Sequence, residues 1–187
     1  MTHAIRRWMT LCETILEDQP RRDSDPNVAP WLDAAYARPD AKELYLHGSD
    51  HTFDQFKQPK LEHGHLIFFS KLIDGHHNKA RPVQAEYYGH TLYLCKLHGL
   101  KPFKPYPQID PQAAAILKDA LQTQWDYENK VKMGRLDYQD CYEVIPPAVE
   151  AGYNFFTIYE ISIHGNSYAV TDPSMIDIVG RYPETTT

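Results

Sequence analysis

The feature that most constrains the fold is a series of short apolar runs, each ended by residues that favour turns. Four runs have the length and composition of β-strands, and they cover residues 44–46, 66–69, 91–97 and 155–163. The run at 66–69 is apolar throughout, which is typical of a strand buried on both faces. A tight turn at 164–166, a returning strand at 167–171 and a short strand at 176–179 are also predicted.

Helical patterns lie between and before these runs. An amphipathic helix is predicted at the N-terminus up to Leu16, followed by a connecting segment at 18–30 and a helical turn at 31–36. Asp110-Pro111 predicts the start of one long helix that ends at Gly134 and keeps Trp125 on its apolar stripe.

Two further helical pieces are expected on either side of Pro146-Pro147, with Gly152 as a C-cap. This order of elements predicts an α+β fold with a small mixed or antiparallel sheet.

A chain of 187 residues fits one domain, and we expect an N-terminal helical extension and linker at 1–42 before a domain at 43–187. The net charge of −6 argues against a domain that binds mainly by neutralising phosphates. The apolar runs are far shorter than the roughly 20 residues that cross a bilayer, and the N-terminus lacks a signal-peptide core. A cytoplasmic location without a membrane partner is therefore expected.

Cysteine and histidine usage bears on metal binding. The three cysteines are scattered, so they predict neither a disulfide framework nor a thiolate zinc site. His63, His65, His76 and His77 cluster, but their spacing matches no ligand pattern with a mechanical reason. No metal is expected.

Three blocks could carry chemistry. In the first, a strand delivers His47 and is followed by Gly48 and Ser49, where a ligand can approach the main chain closely. In the second, the strand at 66–69 leads through Ser70 to Ala85-Glu86-Tyr87-Tyr88-Gly89.

The third block begins with Gly152-Tyr153-Asn154 and ends with the string Ser167-Tyr168-Ala169-Val170-Thr171-Asp172-Pro173-Ser174-Met175-Ile176. Together the three blocks resemble the motifs of ADP-ribosyltransferases of the His-Tyr-Glu type, over residues 43 to about 179. The resemblance is to a divergent bacterial or phage member of the kind found among toxins and effectors. It implies a split β-sheet with flanking helices and NAD as substrate, with no metal.

The resemblance also implies roles for individual residues. His47 would bind ribose hydroxyls of NAD, Gly48 would pair with the nicotinamide carboxamide, and Tyr87, or alternatively Tyr88, would stack on nicotinamide. Ser49, Phe69, Ser70 and Ser167 would complete the cofactor site.

The catalytic acid departs from the family pattern. Many relatives carry a glutamate directly before the closing tyrosine, where this chain has Ser167. Cleavage of the nicotinamide bond develops positive charge on the ribose, so a carboxylate is needed. Glu160 is the nearest acid, and we assign it as catalytic beside His47 and Tyr87. Asp172 is expected to organise the turn before Pro173.

These residues predict an NAD-dependent glycosyltransferase that transfers ADP-ribose to a macromolecular acceptor, protein rather than nucleic acid. NAD glycohydrolysis and a catalytically inactive binding module of the same fold are the alternatives. Modification of nucleic acid gains some support from His76, His77, Lys79 and Arg81 in one loop, although such a run is usually solvated.

Overall fold

The structure is a computed structural model that describes residues 28–58, 66–73, 91–121, 123–137, 140–160 and 165–183. Its helices are α1 (Val28–Tyr36), α2 (Pro111–Ala120), α3 (Gln124–Met133) and α4 (Cys141–Glu150). Its strands are β1 (Leu44–Ser49), β2 (Ile67–Lys71), β3 (Thr91–Leu97), β4 (Leu136–Asp137), β5 (Phe155–Glu160), β6 (Gly165–Val170) and β7 (Ile176–Tyr182).

The seven strands form one mixed sheet in the order β4-β5-β6-β2-β1-β3-β7. Only β4 and β5 are parallel, and every other neighbouring pair is antiparallel. The α+β class is therefore confirmed. Strand β4 was not predicted, because two residues are too few to produce a periodic pattern.

One face of the sheet is covered by the four helices. On the β5–β6 side, Phe156, Ile158 and Ala169 pack with residues of α2 and α4. On the β1–β3 side, Leu44 and Leu46 pack with residues of α1. We call this the helix face.

The other face has its own apolar cluster. Fully or partly buried side chains from six strands meet there, including Tyr45, Phe69, Tyr93 and Tyr168. Loop residues Phe53 and Phe56 and Leu100 pack on the same cluster. We call this the aromatic face.

The predicted boundary at residue 43 does not coincide with a gap in packing. Leu32 of α1 is 2% exposed and belongs to the same cluster as Leu44 and Leu46. Helix α1 begins at Val28, within the predicted connector, because a proline such as Pro30 is tolerated in a first turn. The amphipathic helix predicted before Leu16 lies outside the described residues.

The single helix predicted up to Gly134 is wrong, since the chain forms α2 and α3 with a break between them. The backbone is extended at Leu121, and the Thr123 hydroxyl caps α3 by accepting a hydrogen bond from the Asp126 amide at 3.0 Å. Trp125 consequently turns to solvent and is 73% exposed, so its predicted core position is also wrong. The predicted ends are confirmed: Asp110 caps α2, and Gly134 is left-handed at φ 65°.

The prolines do not separate two helices, because α4 runs continuously through Pro146 and Pro147. Val144, Ile145 and Ala148 are buried in the core, and this packing offsets the hydrogen bonds that two prolines remove. Gly152, at φ 85°, is the predicted stop, since its amide and that of Tyr153 donate to the Val149 and Ala148 carbonyls.

The tight turn predicted at 164–166 is wrong in part. Gly165 and Asn166 belong to β6, where they pair with Glu160 and Tyr159 of β5. The connection between these strands, residues 161–164, lies outside the described residues.

A buried ion cluster ties α3 to β4 and α4. The Lys130 ammonium group contacts Asp137 and lies 2.8 Å from Asp140 Oδ2, and the Lys130 side chain is only 10% exposed. Burial alone would lower the pKa of Lys130, but its hydrogen bonds and charge attraction to the two aspartates outweigh burial and raise the pKa. The lysine is therefore charged at neutral pH.

Candidate functional site

The sheet divides between β1 and β2. These strands pair at Tyr45–Lys71 and Leu46–Ser70, and the Leu72 amide donates to the Leu44 carbonyl at 2.9 Å. Beyond Leu46, β1 continues along β3, whereas the preceding part of β2 pairs with β6. Beyond this point the two halves of the sheet are no longer joined by the backbone ladder.

His47 lies at the division and bridges it. Its Nδ1 is 2.8 Å from the Phe68 carbonyl oxygen, across the gap. A carbonyl can only accept, so Nδ1 carries the proton and Nε2 is left as an acceptor. Burial lowers the pKa of His47 more than the Phe68 carbonyl raises it, so the imidazole is neutral at pH 7.

Aromatic rings surround this imidazole. The Phe56 and Phe69 ring centroids lie 5.0 and 5.5 Å from that of His47, and those of Phe53 and Tyr93 each lie at 6.3 Å. Phe53 stacks on Tyr93 at 4.2 Å, and its amide donates to the Tyr93 hydroxyl oxygen at 2.6 Å. The loop after β1 is thus fixed over the aromatic face. Sequence reasoning missed Phe53, Phe56 and Tyr93 as neighbours of His47, although two phenylalanines shortly after a His-Gly pair were a usable signal.

Gly48 and Ser49 complete β1 next to the division. They pair with Leu92 and Thr91 of β3, and the Ser49 hydroxyl accepts a hydrogen bond from the His51 amide at 3.1 Å. The Ser49 hydroxyl therefore has a local role in the turn. Contacts of Gly48 and Ser49 with a cofactor stay predictions.

The other predicted cofactor-binding residues that the structure describes lie on opposite faces of the sheet. Phe69 pairs with Tyr168 and lies beside His47 on the aromatic face. Ser70 pairs with Leu46 and Ser167 pairs with Ile158, so both serines lie on the helix face, where they are buried. The structure therefore does not bring Ser70 or Ser167 to the side that carries His47.

Glu160 is the last residue of β5 and pairs with Gly165. Strand β5 is three positions from β1 in the sheet, which corresponds to roughly 14 Å at the usual strand spacing. The side chain of Glu160 is outside the described set, as are Tyr87, Tyr88 and the clustered histidines at 63, 65, 76 and 77. Within the described ranges, no group of His, Cys, Asp and Glu is placed to hold a metal ion.

Two residues of the third sequence block, Tyr153 and Asp172, have structural roles. Asp172 Oδ1 accepts a hydrogen bond from the Ser174 amide at 2.8 Å, which confirms its predicted role in the turn. The Tyr153 hydroxyl donates to Asp110 Oδ1 at 2.7 Å, and Asp110 also caps α2. Burial, followed by the Asp110 carboxylate, raises the pKa of Tyr153 to about 12. These contacts give Tyr153 and Asp172 structural roles at a helix end and in a turn.

The lowered pKa of His47 predicts a pH dependence of stability. Above the ordinary pKa of 6.5, the contribution of neutral His47 to the free energy of unfolding is fully present. This contribution is lost as the pH falls through the lower pKa of the folded state, because the unfolded chain binds the proton first. Urea unfolding at about pH 7.5 and about pH 5.5 should show a smaller stability difference for His47→Leu than for the unchanged chain. The exposed His98→Leu variant is the control; an equal difference in all three proteins would contradict the prediction.

Comparison with known proteins identifies no relative: no family model, no curated protein and no solved structure matches the chain. Among the described residues, no helix combines the length and the apolar character that crossing a membrane requires.

Proposed function

We propose that this chain binds NAD at the division of the sheet and transfers its ADP-ribose to a macromolecular acceptor, protein rather than nucleic acid. The observation that carries the proposal is the position of His47. A neutral imidazole with its Nε2 lone pair unused by the described residues stands where two halves of a sheet separate. That lone pair can accept a hydrogen bond from a ribose hydroxyl.

The edge of β1 supports a role for the main chain. Beyond Leu46, β1 pairs with β3 but no longer with β2. In the proposal, the peptide groups near Gly48 on the β2 side of the strand, which no described strand pairs, bind the carboxamide. Phe69 supplies an aromatic wall beside the imidazole. In the proposal Tyr87, or Tyr88 in its place, stacks on the cationic nicotinamide ring.

The proposed reaction exchanges one bond at the ribose. The bond between the anomeric carbon and nicotinamide breaks, and its electron pair leaves with nicotinamide. A nucleophilic group of the acceptor then forms the new bond and gives up its proton. Glu160 is proposed to stabilise the positive charge that develops on the ribose.

A second candidate is a binding module that holds NAD without cleaving it. Two observations favour this alternative: Ser167, which stands where many ADP-ribosyltransferases of the His-Tyr-Glu type have an acid, is buried on the helix face, and β5 lies three strands from β1. Binding and turnover therefore have to be measured separately.

Binding is tested by calorimetric titration of NAD into the unchanged chain and the His47→Leu variant. Loss of one hydrogen bond at Nε2 is expected to weaken NAD binding about 3- to 10-fold. His98→Leu, on an exposed histidine, should leave the affinity unchanged. If the unchanged chain takes up no NAD, the proposal is rejected.

Turnover is tested by nicotinamide release and by mass spectrometry of a lysate incubated with NAD. Labelled protein supports transfer, free ADP-ribose alone supports hydrolysis, and NAD binding without nicotinamide release supports the binding module. Glu160→Gln should lower nicotinamide release about 100-fold. Glu150→Gln, on an exposed helical acid, is the matched control. Equal rates in the two variants would remove Glu160 from the mechanism.

A further inference from the structure

A cation stacked on a tyrosine lies beside the end of β5. The guanidinium carbon of Arg135 is 3.7 Å from the centre of the Tyr159 ring. Arg135 Nη1 is 3.4 Å from Asn166 Oδ1. We call Arg135, Tyr159 and Asn166 the Arg135 patch.

Arg135 has few polar partners among the described residues. Arg135 forms no ion pair with a carboxylate of the described residues, and its buried Nε has no hydrogen-bond partner among them. Within the described ranges Arg135 makes one side-chain hydrogen bond, to Asn166, which is long at 3.4 Å. Buried donors in proteins are nearly always paired, so an arginine held this way is a candidate for ligand binding.

The patch lies on the aromatic face, on the same side of the sheet as His47. Tyr159 pairs directly with Asn166, which is two residues before Tyr168, and the Tyr168 ring lies 5.6 Å from that of Tyr45 on this face. The described helices pack on the opposite face, and Tyr159 and Asn166 are only half-buried. No described helix therefore stands between a ligand on the His47 side and the patch.

A second cation lies on the same face. Lys71 ends β2 and pairs with Tyr45, and in the described part of the chain it has no ion-pair partner. Arg135 and Lys71 thus place two cations without an ion-pair partner among the described residues on one side of the sheet, although the whole chain carries a net charge of −6. Such a local charge favours an anionic ligand.

We infer that the Arg135 patch binds a phosphate group, and that with NAD bound this is its pyrophosphate; the second part rests on the proposed function. A planar guanidinium presents paired N–H donors that match phosphate oxygens, and stacking on Tyr159 holds it in one orientation. Asn166 Oδ1 faces Arg135, and in the described part of the chain its amide N–H groups have no acceptor, so they can serve as further donors. Strand β6 is two positions from β1, roughly 10 Å, which a dinucleotide held at His47 can bridge.

The test is calorimetric titration of inorganic pyrophosphate and of NAD, each into the unchanged chain, Arg135→Gln, Arg135→Lys and Asn166→Ala. Arg135→Gln is expected to weaken pyrophosphate binding about 10-fold or more, because a charged hydrogen-bond pair is lost. Arg135→Lys keeps the positive charge but lacks the planar guanidinium, so its pyrophosphate affinity should lie between those of the unchanged chain and Arg135→Gln. Arg38→Gln removes an exposed arginine paired with Asp40 and should change neither affinity.

The outcomes separate this inference from the proposed function. Pyrophosphate binding that depends on Arg135, without NAD binding, supports the phosphate site and rejects the NAD proposal. NAD binding that depends on His47 but not on Arg135 rejects the pyrophosphate assignment and leaves the proposed function standing. If the unchanged chain does not bind pyrophosphate, or if Arg135→Gln behaves like Arg38→Gln, the phosphate site is rejected.

Discussion

Lys130→Met is expected to lower the free energy of unfolding by about 3–5 kcal/mol, because it leaves two carboxylates without their cation. The Asp140 side chain is 12% exposed and that of Asp137 is 29% exposed, so water replaces the ammonium group poorly. Methionine preserves most of the side-chain volume, which confines the change to the charge. Urea unfolding followed by circular dichroism measures the loss.

Lys132→Met, on an exposed position of the same helix, is the matched control and should stay within about 0.5 kcal/mol. The contribution of Lys130 is present below its ordinary pKa of 10.5 and is lost as the pH rises through the higher folded value. If the two methionine variants are equally stable, the ion cluster does not hold α3, β4 and α4 together.

Phe156→Ala is expected to lower the free energy of unfolding by about 3–5 kcal/mol, because it opens a cavity in the packed core. Phe156 is fully buried beneath the helices, and its ring lies 5.8 Å from that of Phe103. The surrounding strands and helices limit how far the site can collapse. Chemical denaturation again provides the measurement.

Trp125→Ala is the informative comparison, since the apolar pattern of the sequence predicts a core position and the structure exposes this side chain. At 73% exposure its removal should change stability by less than about 0.5 kcal/mol. A loss as large as that of Phe156→Ala would mean that Trp125 packs against the core after all.

The strands were predictable because their signals are local. The run at 91–97 and the apolar run of β2 are bounded by turn residues, and the structure places strands there. Helix breaks were harder. Thr123 and Asp126 have the spacing of a capping box, but this signal lies inside a longer helical pattern that hides it. Around Pro146, tertiary packing overrides the local preference of the prolines.

The geometry of the candidate site was predictable only for residues that lie on a single strand or directly after it. His47, Gly48 and Phe69 follow from short motifs, and the structure places them close together. The faces of Ser70 and Ser167 depend on strand register, and a one-residue slip moves a side chain to the opposite face. Strand register depends on pairing between distant parts of the chain, and local sequence patterns do not reveal that pairing.

The division of the sheet has a consequence for how the polypeptide acquires its shape. The chain crosses between the two halves repeatedly: β1 is followed by β2 on the other side, β3 returns, β4 to β6 lie opposite, and β7 closes against β3. Neither half is a continuous stretch of sequence, so no truncation releases one of them intact. Folding must close the long loop between β3 and β7 before these two strands share a ladder, and we expect the native state to form slowly compared with helical proteins of this length.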